Sequence, residues 1–123
     1  MKVYFIISTF LLVTLSCITD SIKEISVKDL KKVLTSKNEK VQLVDVRTKE
    51  EYQKERIQNS VLIDIKNENF EELVDRELNK NEPVYLYCKS GKRSSSAFRV
   101  LKKKGFKKVF SLEGGIVNWK SNH

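Results

Sequence analysis

Apolar and polar positions along the chain switch between two periods, one suited to strands and the other to helices. Ile22 to Ile25 alternates and predicts a first strand. Ser26 and Asp29 have the spacing of an N-cap pair, and Val27, Leu30, Val33 and Leu34 give the helix they open one apolar face. Val41 to Val46 reads as a second strand, branched as a strand buried on both faces should be. Thr48 and Glu51 repeat the capping spacing and start a short helix. Val61 to Ile65 predicts a third strand, and Phe70, Leu73, Val74 and Leu78 form a helical stripe. From Pro83 to Tyr87 the run is apolar, β-branched and aromatic, the composition of a buried strand. Ala97, Val100, Leu101 and Lys104 then share a helix face, and Gly105 stands where that helix would stop. Val109 to Leu112 predicts a last strand and Ile116 to Trp119 a final turn of helix. Strands alternating with helices mean an α/β fold: an open parallel sheet of about five strands with helices on both faces.

At 123 residues, 40% of them hydrophobic, the chain is long enough for one core without staples. No internal repeat, long linker or low-complexity tract divides it. The N-terminus changes the picture. Met1-Lys2 is a minimal basic start, and Val3 to Thr19 carries no charge. That stretch is at the lower limit of a membrane span, is interrupted by Ser8, Thr9, Thr14 and Ser16, and is read as a secretory signal peptide. The expected organisation is a signal peptide over 1–17, a short linker over 18–23 and one domain over 24–120. Cys17 ends the apolar run as a lipid-attachment cysteine would, and Thr14-Leu15-Ser16-Cys17 resembles a bacterial lipobox in part. The expectation is an exported protein, periplasmic or envelope-associated, with membrane association through an N-terminal lipid if Cys17 is acylated.

Removal or acylation of Cys17 leaves the mature domain a single thiol, Cys88. In an oxidising compartment a protein using cysteine for stability would carry pairs, so a lone thiol there points to chemistry. Cys88 opens a stretch of six residues, Cys88-Lys89-Ser90-Gly91-Lys92-Arg93, between the predicted strand and the predicted helix. In open α/β sheets ligands bind at that junction. A curled loop there converges its N–H groups on one point, and the helix adds roughly half a positive charge. Thiol pKa values fall from ~8.5 to roughly 3.5–7.5 in such surroundings. Lys89, Lys92 and Arg93 supply cations, and Gly91 lets the backbone turn. The competing reading is a buried structural cysteine in a solvated basic loop.

Tyr87-Cys88-Lys89-Ser90-Gly91-Lys92-Arg93-Ser94 resembles the active-site loop of the single-domain rhodaneses, the thiosulfate sulfurtransferases. Leu43-Val44-Asp45-Val46-Arg47-Thr48-Lys49-Glu50-Glu51-Tyr52 resembles the "DVR…EY" segment of that family, and Leu112-Glu113-Gly114-Gly115-Ile116-Val117-Asn118-Trp119 its closing "L-x-G-G-…-W" segment. The resemblance implies a rhodanese-like fold with Cys88 as the catalytic nucleophile. Lys89, Ser90, Gly91, Lys92, Arg93 and Ser94 would then bind substrate. It implies a small anionic sulfur donor such as thiosulfate, a cyanide or thiol acceptor, and a Cys88 persulfide between them. Family members that carry a persulfide or bind an anion for a partner protein make a non-catalytic module in the envelope the alternative. Where rhodaneses usually have Gly-His-Ile-x-Gly-Ala, this chain has Glu55-Arg56-Ile57-Gln58-Asn59-Ser60, without the histidine or either glycine.

Asp45 and Arg47 end the second strand near the Cys88 loop. Asp45 is read as a cap of the short helix or as the partner of a loop cation, and Arg47 as a source of positive potential. The competing reading is a structural cap with a surface ion pair. A cysteine-dependent phosphatase or arsenate reductase is a further alternative; those loops place the arginine six positions after the cysteine, whereas Arg93 is five after Cys88. The only histidine is His123, which argues against a Cys–His dyad and leaves a His-containing metal site without ligands. No nucleotide-binding loop or C-x-x-C pair is present, and neither metal nor cofactor is expected. The formal charge of +8 comes largely from lysine clusters read as solvated helix faces, with weak attraction to acidic surfaces. Without interleaved aromatics they give no support for nucleic-acid binding. A monomer is expected.

Overall fold

The computed structural model describes residues 2, 21–37 and 40–122. Apart from Lys2, the segment read as a signal peptide lies outside the described residues, as do Cys17 at its end, the first part of the 18–23 linker and His123.

Among the described residues five strands and five helices follow one another: β1 (Glu24–Ile25), α1 (Val27–Thr35), β2 (Gln42–Asp45), α2 (Lys49–Lys54), β3 (Val61–Leu62), α3 (Phe70–Glu77), β4 (Val84–Tyr87), α4 (Lys92–Lys103), β5 (Val109–Leu112) and α5 (Gly115–Ser121). The strands form one sheet in the order β1-β5-β4-β2-β3, and every pairing is parallel. The chain adds β3 beside β2, then returns to the other side of β2 for β4. That reversal opens a crevice at the carboxyl ends of β2 and β4, where the register pairs Asp45 with Tyr87.

The predicted elements are all present, with shorter strands at both edges. Ser26 caps α1 by accepting from the Asp29 N–H at 3.1 Å. Thr48 and Glu51 complete a capping box on α2. The third strand ends at Leu62 rather than Ile65: Ile63 and Ile65 still donate N–H bonds to the Asp45 and Val46 carbonyls.

One boundary differs in a way that matters. α4 begins at Lys92, immediately after Gly91, so Lys92 and Arg93 belong to its first turn and the true loop is Cys88–Gly91. Lys92 and Arg93 stand ahead of Ala97, the first apolar residue of the helix face, so hydrophobic spacing does not mark this start. Three serine hydroxyls turn back into the helix start: Ser95 donates to the Gly91 carbonyl, Ser96 to that of Lys92, and Ser94 Oγ lies 3.1 Å from the Gly91 oxygen.

Alternation along β4 splits the core. Val84, Leu86 and Cys88 join Phe70, Val74, Phe98 and Leu101 under α3 and α4. Tyr85 and Tyr87 join Val27, Leu30, Leu112 and Ile116 under α1 and α5. This central strand is buried on both faces, and it carries the loop on its end.

Candidate active site

Cys88 is the first residue after β4, and its side chain is 1% exposed. It packs in the core cluster under α4, so the sequence expectation of a loop cysteine was incomplete: the residue is buried as a structural cysteine would be. Its surroundings are nevertheless polar on one side. Sγ accepts the Gly91 N–H at 3.1 Å and lies 3.5 Å from Ser94 Oγ. Burial alone would push the thiol up, but the Ser94 hydroxyl and the N–H groups of Ser94, Gly91 and Ser90 outweigh it and hold the thiol below its ordinary value. Gly91 makes this cup by taking φ +113°, a left-handed conformation that favours glycine.

The first turn of α4 contains two cations and no acid, against the preference of a helix N-terminus. Such a breach of local rules marks a place where negative charge is expected from elsewhere. Lys89 and Lys92 are exposed. Arg93 is committed: Nη1 and Nη2 bind the Glu51 carboxylate at 2.6 and 2.9 Å. Glu51 pushes the Arg93 pKa up, and the Cys88 sulfur adds to that, so the guanidinium contributes potential without leaving its partner.

Asp45 and Arg47 are buried, 0% and 3% exposed, and bonded to one another rather than to the loop. Asp45 Oδ1 accepts the Arg47 backbone N–H at 2.9 Å, and Oδ2 accepts Arg47 Nη2 at 2.7 Å. Arg47 also donates to the Glu55 carbonyl at 2.7 Å. The surface ion pair envisaged from the sequence is thus an internal clamp across the β2–α2 junction. Asp45 neither caps α2, which Thr48 does, nor holds a loop cation.

The rim segment that departs from the rhodanese pattern is held by bonds of its own. Asn59 adopts φ 66° at the position of the second family glycine, and asparagine is one of the few residues that tolerates this. Ser60 bonds the Tyr87 hydroxyl at 2.9 Å, and that hydroxyl accepts the Ile57 N–H at 3.1 Å.

Gly114 and Gly115 resolve as both a turn and a helix entry. α5 sends the Ile116 N–H to the Cys88 carbonyl at 2.9 Å and the Val117 N–H to that of Lys89 at 3.2 Å. A Cβ on Gly115 would stand 2.3 Å from the Lys89 carbonyl oxygen, so only glycine lets the loop and α5 meet. Beside this joint is a shallow cavity of about 190 Å3, lined in part by Arg47, Lys54, Lys89, Val117 and Lys120. Trp119, by contrast, lines a cavity of about 590 Å3 against α1 that shares no residue with the loop. Among the described residues no group of metal-ligating side chains comes together.

The structure places Cys88, Gly91, Lys89 and Lys92 at one strand end, and it adds contacts the sequence reading lacks: Ser111 on Ser94, Gly115 against the Lys89 carbonyl, and Glu51 on Arg93. Ser111 reaches Ser94 Oγ at 2.7 Å from β5. An isolated serine inside an apolar strand was the available signal.

A buried sulfur lies at the end of a central parallel strand and the start of a helix, where backbone amides and a hydroxyl favour its ionised form. Residues 26–122 match the model of the Rhodanese-like domain. The chain is 40% identical over 99 residues to "Putative sulfur carrier protein YrkF" of Bacillus subtilis, which covers 80% of this chain and 51% of that protein. It thus spans about half the length of that relative. It is 35% identical over 88 residues to Thiosulfate sulfurtransferase GlpE of Coxiella burnetii, covering 71% of this chain and 78% of the relative. The crystal structure of a rhodanese-like domain protein from Staphylococcus aureus superposes with a TM-score of 0.65 at 34% identity, covering 80% of this chain and 91% of that one. The chain belongs to the rhodanese-like domain family, and sulfur transfer is the chemistry of that family.

Proposed function

We propose that this protein is a thiosulfate-type sulfurtransferase working through a persulfide on Cys88. The observation that supports this most directly is the sulfur itself: 1% exposed, yet held below its ordinary pKa by amides and a hydroxyl. The Cys88 thiolate attacks the outer sulfur of an anionic donor such as thiosulfate. The donor's S–S bond breaks, its electron pair leaves on sulfite, and Cys88 keeps one added sulfur. A cyanide ion or a thiolate then attacks that outer sulfur, the Sγ–S bond breaks, and the pair returns to Cys88 as thiolate. Loop N–H groups receive the charge on the terminal sulfur, while Lys89 and Lys92 attract the donor and steady the departing sulfite. Ser90 and Gly91 contribute through their N–H groups, Ser94 through its hydroxyl, and Arg93 through its potential.

Two features support a second reading, in which the loaded sulfur is carried to a partner protein. One is the 40% identity to a protein named as a sulfur carrier, and the other is the depth of Cys88. A phosphatase loses support because the guanidinium it would need on a phosphoryl group is taken by Glu51. Mass measurement after incubation with thiosulfate tests the first two readings. A gain of one sulfur atom, absent in Cys88→Ser, is the expected result, and no gain overturns both. Turnover with cyanide then distinguishes an enzyme from a carrier. The uncharged run from Val3 to Thr19 supports export to the periplasm or envelope. The mass of the mature N-terminus from cells tests this and reports whether Cys17 carries lipid.

A further inference from the structure

Three serines and one carbonyl beneath the nucleophile compete for few protons. Ser94 Oγ, on a residue 0% exposed, lies 3.5 Å from Cys88 Sγ, 3.1 Å from the Gly91 carbonyl oxygen and 2.7 Å from Ser111 Oγ. Its single proton serves one acceptor at a time. The Gly91 oxygen already receives the Ser95 N–H at 3.0 Å and the Ser95 hydroxyl at 2.7 Å, which fills both of its lone pairs. Ser111 is 2% exposed, and among the described residues its hydroxyl meets only Ser94 Oγ. A buried hydroxyl proton without an acceptor is costly, so Ser111 donates and Ser94 accepts. A neutral Cys88 thiol can donate to Ser94 Oγ, but with Ser111 acting as donor and Gly91 occupied, the Ser94 proton is left to point at the sulfur once the thiol has ionised.

We propose that Ser111 is a positioning residue for the nucleophile: by donating to Ser94 Oγ from β5, it fixes the Ser94 hydroxyl as a donor to Cys88 Sγ. It acts through Ser94 and does not touch the sulfur. The placement follows from the sheet, since Ser111 alternates with Phe110 and Leu112 and faces α4 beside Val109. The inference rests on the Cys88 thiolate reading, but it concerns ionisation and not the identity of the donor.

The test is the pH profile of Cys88 alkylation by iodoacetamide in the full chain, followed on the Cys88 peptide so that Cys17 does not contribute. Ser111→Ala, Ser111→Thr and Ser111→Val are compared; threonine and valine have nearly the same shape and differ in the hydroxyl, and both suit a strand. The expected result is a native-like midpoint for threonine and raised midpoints for alanine and valine. At pH 7 the last two should alkylate roughly three- to tenfold more slowly, the equivalent of one buried hydrogen bond. Equal midpoints for threonine and valine, or a native midpoint for alanine, overturn the proposal. Sulfur loading from thiosulfate is measured separately. Loading with an unmoved midpoint defeats the role of Ser111 alone, whereas the expected midpoints without loading leave that role standing and defeat sulfur transfer.

Discussion

Glu51 grips Arg93 with both carboxylate oxygens, at 2.6 and 2.9 Å, while the same carboxylate closes the capping box of α2 on Thr48. One side chain therefore ties the first turn of α2 to the first turn of α4, and the Cys88–Gly91 loop leads directly into the latter.

Replacing Glu51 by Gln removes the charge and half of the grip. The pair is about a quarter to a third exposed, so its loss should cost about 1–2 kcal/mol, between a surface pair and a buried one. Urea unfolding measures this. The Arg93 hydrogen bond, aided by Thr48, holds the Glu51 carboxyl down to about 2 from an ordinary 4.5. The unfolded chain therefore takes up the proton first. The contribution is complete above about pH 4.5 and drains away as pH falls toward 2. In Glu51→Gln that part of the acid sensitivity should disappear.

Cys88→Ala should abolish sulfur loading. It should also lower stability by about 1 kcal/mol, because the sulfur packs in the core and is not a solvated loop atom. Mass spectrometry and urea melts check the two halves, and sulfur loading retained in this variant would end the nucleophile assignment.

Gly115→Ala places a methyl 2.3 Å from the Lys89 carbonyl oxygen at φ +61°, and the obstruction is backbone that cannot rotate away. A loss of about 2–4 kcal/mol together with sulfur loading is expected. Gly105→Ala is the control. It has φ +91° and nothing within 4 Å, so it should cost about 1–2 kcal/mol and leave loading intact.

Lys92→Ala and Lys89→Ala should slow sulfur loading from thiosulfate more at low salt than at high, since exposed charges are screened within ~10 Å at 0.1 M. Arg93→Ala should behave differently. Its guanidinium is bound to Glu51, so its loss loosens α2 from α4 and should reduce loading similarly at both ionic strengths. Loading rates at two salt concentrations separate the two behaviours.

Hydrophobic periodicity alone determined the alternation of strands and helices, because burial on a sheet face or helix face is written locally in spacing. Cys88, Gly91 and the cations were legible for the same reason: they lie within six consecutive residues at one strand end. The start of α4 at Lys92 was hidden, since Lys92 and Arg93 precede the first apolar position of its face and the turn at Gly91 sets where the helix begins. What tertiary structure alone decided is which distant residues meet there. Glu51 reaches Arg93, Ser111 reaches Ser94, and Gly115 admits the Lys89 carbonyl because parallel strands bring the ends of separate βα units to one edge. Spacing along a chain records which face a residue turns to the core; only the order of strands in the sheet sets what stands opposite it.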